Sequence, residues 1–288
     1  MTNYKVQIYC NGSKKLGFGH ISRSMALYKY LNSKDINTSI FGLSDEANDI
    51  IINKSNKNLS ADTYIIDSNG SEINSLICKL KKNNKTIITL DWFGDEKPNI
   101  NIVIYAHYNV EALNKTYIGF QYVIIKNEFL RLKKSIKKNN SALVCIGGGD
   151  ILSEAETAAE ILHNKGYDVT LVKGPTSNNK KHNFINTIFS PKNFSEILAS
   201  SKIVVTNGGG TMFESIFLKN ITIALPQTQF ETKIAEHALN NSSILGIGLN
   251  FMSDLNEKKI ENFIFPEKNI IDGKGTERIY EIIKTNRI

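Results

Sequence analysis

The residues best suited to chemistry are three glycine turns and the ionisable side chains beside them. Asn207-Gly208-Gly209-Gly210-Thr211-Met212-Phe213-Glu214 follows the apolar run Lys202-Ile203-Val204-Val205-Thr206 and leads into a helical pattern. Strand, glycine turn and helix N-terminus in succession make an anion site. Glycine lets the backbone come close to a ligand, and the unpaired N–H groups of the first helical turn face it at the positive end of the macrodipole. The same run also suits an ordinary tight βα turn. Gly17-Phe18-Gly19-His20 opens a helix after the first strand, and Ile146-Gly147-Gly148-Gly149-Asp150 follows Ala142-Leu143-Val144-Cys145. Three such turns at the carboxyl ends of predicted strands, spread over both halves, predict two α/β domains whose loops converge on one cleft holding a phosphorylated ligand.

The elements that must position these turns alternate along the chain. Tyr4 to Cys10 reads as a buried strand, and Ile21, Met25, Tyr28 and Leu31 then recur at helical spacing. Strands follow at Ile36 to Phe41, Ala61 to Asp67, Thr86 to Leu90 and Ile102 to Tyr105, with helices at Asp45 to Ile52 and Ser71 to Leu80; Tyr122 to Ile125 is a further strand closing the sheet. Asp67 and Asp91 end two of these strands, where they either contact a ligand or cap and brace a loop. The polar run Arg131 to Asn140 is the expected linker. The pattern restarts with strands to Ile146, at Asp168 to Val172, Ile185 to Phe189, Ile203 to Thr206 and Ile221 to Leu225, and with helices between them. Thr276 to Lys284 reads as a closing helix. Alternation of this kind predicts parallel sheets covered on both faces. The expected division is 1–135, 141–272, and a C-terminal helix in 273–288 that packs back across the junction.

Composition narrows the classes. A chain of 288 residues with 41% hydrophobic and 22% charged residues has enough apolar surface for two cores and no signature of disorder or a fibre. Its formal charge of +7 is scattered over Lys81-Lys82, Lys133-Lys134 and Lys137-Lys138, which read as solvated faces rather than a nucleic-acid surface. Three cysteines, Cys10, Cys78 and Cys145, form no C-x-x-C pair and no disulfide framework. No window approaches a membrane span and no apolar leader opens the sequence, so a cytoplasmic protein without stable membrane insertion is expected. His107, His163, His182 and His237 show no ligand spacing, and neither a metal nor an organic cofactor is expected.

Leu16-Gly17-Phe18-Gly19-His20-Ile21-Ser22-Arg23 resembles the signature of the UDP-sugar hydrolases of pseudaminic acid biosynthesis, a family related in fold to MurG-type glycosyltransferases. Ile65-Ile66-Asp67, Leu90-Asp91, Gly119 to Ile125, Glu128-Phe129, Cys145 to Gly148 and Gly208 to Glu214 fall in that family's order. The resemblance implies a GT-B-like α/β fold of two doubly wound Rossmann-type domains with a cleft between them. It also implies cleavage of a UDP-linked trideoxy sugar to UDP and free sugar. Carried over, His20 handles the water, with Gly17, Gly19, Arg23, Asp67, Asn69 and Asp91 near the sugar. Gly147, Gly148, Gly208, Gly209, Gly210, Thr211 and Glu214 hold the nucleotide, joined by Gln227 and Gln229 after the next predicted strand. A helix N-terminus disfavours imidazolium, which suits His20 to accept a proton, although it also suits a capping or phosphate-contacting histidine. Glu214 either accepts bonds from ribose hydroxyls or complements its helix dipole.

The chain departs from the family pattern at four places. Tyr9 and Asn11 stand where an arginine and an aspartate are usual, and Ser68 and Asn69 where a histidine and a tyrosine are usual. A different amino or deoxy sugar is therefore expected, with water as the first choice of acceptor and a glycan hydroxyl as the second. A nucleotide-sugar-binding protein without turnover is the expectation from a different functional class.

Overall fold

The computed structural model describes residues 4–13, 17–51, 61–68, 70, 72–104, 115–133, 138–147, 150–174 and 184–286. The chain forms two compact units, residues 1–125 with 273–288, and residues 126–272.

The first unit contains β1 (Lys5–Cys10), α1 (Gly19–Ser33), β2 (Asn37–Gly42), α2 (Asp45–Ile50), β3 (Thr63–Asp67), α3 (Glu72–Lys82), β4 (Thr86–Leu90), β5 (Ile100–Val103) and β6 (Thr116–Ile118). Its sheet is parallel throughout, in the order β2-β1-β3-β4-β5-β6. Every residue of β3, β4 and β5 is buried, as expected of strands covered on both faces. One face packs Ile8, Ile65 and Ile88 with Leu27 and Leu31 of α1; the other packs Tyr9, Tyr64 and Ile66 with Ile73 and Ile77 of α3. Each such aliphatic side chain contributes roughly 1.5–3 kcal/mol on burial. The C-terminal helix, Gly275–Thr285, belongs to this unit and buries Ile279, Ile282 and Ile283 in the α1 core.

The edge of this sheet differs from the sequence expectation. Tyr122 to Ile125 is not a strand: Phe120–Tyr122 is a single 3₁₀ turn, Val123 to Ile125 has no ladder partner among the described residues, and the short β6 closes the sheet. Three half-exposed residues give too brief an alternation to signal β6, whereas the buried Val123-Ile124-Ile125 reads as a strand by composition alone.

The second unit contains α4 (Asn127–Leu132), β7 (Ser141–Cys145), α5 (Ala155–Asn164), β8 (Asp168–Lys173), β9 (Asn186–Phe189), α6 (Phe194–Ser200), β10 (Ile203–Thr206), α7 (Gly210–Phe217), β11 (Ile221–Ala224), α8 (Gln229–Asn240), β12 (Gly246–Ile247), α9 (Gly248–Ser253) and α10 (Glu257–Glu261). Its parallel sheet runs β12-β11-β10-β7-β8-β9. In each sheet the winding reverses between two central strands, β1 and β3 in the first and β7 and β10 in the second. Ligands of open α/β sheets bind at the carboxyl ends of such strands. Gly17, Gly147 and Gly208 to Gly210 follow those strands.

Candidate functional site

In the first unit the loop after β1 turns at Gly17, whose φ of +77° lies in the left-handed region that a side chain would strain. It delivers Gly19 and His20 as the first two residues of α1. Helical spacing then places Arg23 and Ser24 over the end of β3. Asp67, the last residue of β3, is fully buried and receives all three: His20 Nδ1 lies 2.6 Å from Oδ1, while Arg23 Nε and Ser24 Oγ each donate to Oδ2 at 2.8 Å. Arg23 Nη1 donates to Asp91 Oδ2 at 2.7 Å, and Asp91 Oδ1 accepts the Ile104 N–H at 2.7 Å. Asp91 turns the chain after β4 with φ +52°, a conformation that aspartate tolerates better than most residues.

Burial alone would raise both carboxyls. At Asp67 the Arg23 guanidinium, helped by His20, reverses that and holds the acid well below the ordinary range; Asp91, with Arg23 further shared and Asp67 nearby, stays raised. A carboxylate can only accept, so His20 carries its proton on Nδ1, and the Arg23 Nη2 contact at 3.2 Å is proximity rather than a hydrogen bond. In the neutral ring Nε2 is then the acceptor nitrogen. It has no hydrogen-bond partner among the described residues, and the His20 side chain is 30% exposed. A buried carboxylate fixing an imidazole tautomer is the arrangement of a positioned general base.

In the second unit Gly209 precedes α7 in an extended conformation and no side chain caps the helix. The N–H groups of Gly210 and Thr211 have no acceptor among the described residues, so the helix start presents two open donors. Gly208 is required by packing: a Cβ there would stand 2.5 Å from the Glu231 carbonyl oxygen. The Glu231 carboxylate braces the turn, accepting from Asn207 Nδ2 at 2.6 Å and from the Gln227 N–H at 2.7 Å. Gly147 packs against Asn207 from the neighbouring strand end. One turn into α7, Glu214 is 7% exposed, with Oε1 3.0 Å from Lys126 Nζ. Burial pushes its carboxyl up to about 7, Lys126 opposing and Glu128 adding to the rise.

The structure brings His20, Arg23, Asp67 and Asp91 into one network, and Gly147, Gly208 to Thr211, Glu214 and Gln227 around another strand end. Asp67 and Asp91 are enclosed with their oxygens engaged by protein groups, which matches the bracing alternative. The side chain of Gln227 is also occupied, receiving the Leu152 N–H at 2.9 Å and donating to the Leu225 carbonyl at 3.1 Å. Gln229 is exposed at the start of α8. Asn69, Gly148, His107 and His182 lie outside the described residues. Of the departures from the family pattern, Tyr9 is a core residue stacked on Phe41 at 5.4 Å, and Ser68 is buried. Asn11 Oδ1 accepts from the Gly12 N–H and Ser44 Oγ, both at 2.8 Å.

Sequence reasoning missed Glu231, Lys126 and Ser24. Thr228-x-x-Glu231 is a capping-box spacing, and the Thr228 hydroxyl does accept the Glu231 N–H; the glutamate, however, reaches past the cap to Asn207 and Gln227. Ser24 lies one helical turn beyond His20, and Lys126 carries no local signal. Among the described residues no group of three or more His, Cys, Asp or Glu could hold a metal, and no helix is long and apolar enough to cross a membrane.

Two units, each a six-stranded parallel sheet with helices, define the GT-B class of fold. No family model matches the chain. It is 27% identical over 332 residues to the uncharacterized protein MJ1062 of Methanocaldococcus jannaschii, covering 97% of this chain and 66% of that protein, so it spans about two thirds of that relative's length. It is 24% identical over 247 residues to the UDP-2,4-diacetamido-2,4,6-trideoxy-beta-L-altropyranose hydrolase of Campylobacter jejuni, covering 75% of this chain and 89% of that one. Among solved structures, the glycotransferase of kitacinnamycin superposes with a TM-score of 0.68 at 11% identity, covering 99% of each chain. MurG of Acinetobacter baumannii gives 0.65 at 10%, covering 98% of this chain and 99% of that one. The UDP-GlcNAc 2-epimerase of Methanocaldococcus jannaschii gives 0.60 at 12%, covering 98% and 100%. These likenesses establish the fold.

Proposed function

We propose that this chain breaks the anomeric C–O bond of a UDP-linked amino or deoxy sugar with water as the acceptor, releasing UDP and the free sugar in the synthesis of a nonulosonic acid or surface glycan. The observation that carries this reading is the 2.6 Å contact between His20 Nδ1 and the buried Asp67 carboxylate, which leaves Nε2 to take a proton. In the proposed step Nε2 accepts a proton from water as the water oxygen bonds to the anomeric carbon. The electrons of the breaking C–O bond pass to the β-phosphate oxygen. Asp67 stabilises the imidazolium until it returns its proton to solvent. Such general-base help is worth about 10²–10⁴-fold.

The second unit is read as the nucleotide holder. The open N–H groups of Gly210 and Thr211, at the positive end of α7, suit the diphosphate and the charge growing on it as it departs. Glu214 suits the ribose. Asp67 and Asp91 act through His20 and Arg23 instead of touching the sugar, while Gly17 and Gly19 stand beside it. The relative from Campylobacter jejuni, named as a hydrolase of such a sugar, supports this choice.

A glycosyl transferase is the second reading, favoured by the folds of the kitacinnamycin glycotransferase and MurG. His20 would then deprotonate an acceptor hydroxyl. Incubating the purified chain with a panel of UDP-sugars, without acceptor, should release UDP in step with free reducing sugar, fastest with an amino sugar other than the trideoxy-altrose. Release that requires an added glycan or lipid supports the transferase; tight UDP binding with no release from any donor supports a binding protein.

A further inference from the structure

Lys126 immediately precedes α4 and reaches the start of α7, where its Nζ lies 3.0 Å from Glu214 Oε1. The same ammonium is 3.8 Å from Glu128 and 5.0 Å from the centroid of the Phe129 ring. Of these neighbours Glu214 is the one within hydrogen-bond distance of the ammonium. Glu214 Oε2, in contrast, has no hydrogen-bond partner among the described residues although the residue is more than nine-tenths buried. The acid stands one turn inside a helix whose first N–H groups are also open. A carboxylate with one oxygen clamped and one unengaged is poised to accept from a ligand hydroxyl.

Resting on the nucleotide reading above, we propose that Lys126 is a positioning and specificity-determining residue: by fixing one Glu214 oxygen it aims the other at a ribose hydroxyl, so that ribonucleotides are selected over their deoxy analogues. The groups facing Glu214 are Lys126, Glu128 and the Cys145 thiol at the end of β7, which burial pushes up to about 12 and which is therefore neutral. Lys126 is the cation among them, and it opposes a rise that burial has already carried to about 7. Without it the acid is protonated at higher pH and its open oxygen accepts more weakly. Selectivity in the native chain should accordingly fall as pH drops through about 7, and in Lys126→Met it should fall at higher pH.

Titration calorimetry of the full chain with UDP, 2′-deoxy-UDP and 3′-deoxy-UDP tests this, at a pH above and a pH below neutrality. The native chain should prefer UDP over one of the two analogues by about tenfold or more at the higher pH, the scale of a charged hydrogen bond. Lys126→Met should bring that ratio close to one while leaving affinity for the disfavoured analogue within about threefold of native, since a lost hydroxyl contact cannot be lost again. Lys126→Arg, which keeps the charge, should retain the preference. An unchanged ratio in Lys126→Met, or equal weakening of all three nucleotides, overturns the proposal. A native chain that binds none of them overturns the nucleotide reading itself, a result separable from the first because it precedes any substitution.

Discussion

Asp67 and Glu214 are both acids buried at the carboxyl end of a parallel sheet, one in each unit, and their surroundings push them in opposite directions. Asp67 is met by His20, Arg23 and Ser24, so the partners outweigh burial and the carboxyl stays ionised well below its usual range. Among the described residues Glu214 has Lys126 as its partner, and burial wins, raising it to about 7. Desolvation penalises both acids; the number of donors decides the sign. In the completed network the Asp67 carboxylate, with both oxygens engaged, holds a side chain in place instead of receiving a ligand. The incomplete one keeps an acceptor open, which is what a binding residue needs.

Removing the cation from the completed network should have the largest effect. Arg23→Met leaves Asp67 and Asp91 buried without their counter-ion, and breaking a buried pair from one side costs about 3–5 kcal/mol. The single tryptophan, Trp92, is buried in this unit, so its fluorescence during urea unfolding reports the loss. An unchanged midpoint would mean that the network is not the brace described. Acid sharpens the same point. Because Asp67 is held below its unfolded value of 3.8, its stabilisation is complete above that pH and is lost as pH falls toward the lower folded value. Asp91 and Glu214, both raised, work the other way: their burial is most costly at high pH and the cost is relieved on acidification. Asp67→Asn should therefore flatten the acid limb of the Trp92 transition.

His20→Asn comes next. It should lower turnover by roughly a hundredfold or more while UDP affinity stays at the native value, because the base and the nucleotide holder are different residues of different units. Equal losses of rate and binding would make His20 a phosphate contact. Glu214→Ala should weaken UDP by about 1–3 kcal/mol with little change in the Trp92 transition. Unaltered affinity would return Glu214 to a helix-dipole role. The smallest effect expected is none: UDP affinity measured by calorimetry should survive EDTA, since open N–H groups at the α7 start can meet the diphosphate directly. Binding restored only by added magnesium would contradict that.

What could be read in advance follows the same contrast. Strands buried on both faces, such as Thr86 to Leu90 and Ile203 to Thr206, announce themselves as continuous apolar runs, and the glycine turns mark the strand ends where the winding reverses. Those signals are local. The partners of Asp67 were half legible, because His20 and Arg23 share one helix start, but Asp91 joins them only through the order of strands in the sheet. Glu231 shows why spacing can mislead: its capping box forms in part, yet its carboxylate serves the loop that carries Asn207. Lys126 was invisible, being 88 residues before Glu214 in sequence and meeting it only after folding.

In the proposed reaction water attacks the sugar, not the phosphorus, with His20 taking its proton. Turnover of a UDP-amino sugar in ¹⁸O-water, followed by mass spectrometry of the released UDP, tests it most directly because phosphate oxygens do not exchange with solvent under such conditions. Unlabelled UDP should form in step with free sugar and without any added acceptor. An ¹⁸O atom on the β-phosphate, or UDP appearing only when a glycan or lipid is supplied, would contradict it.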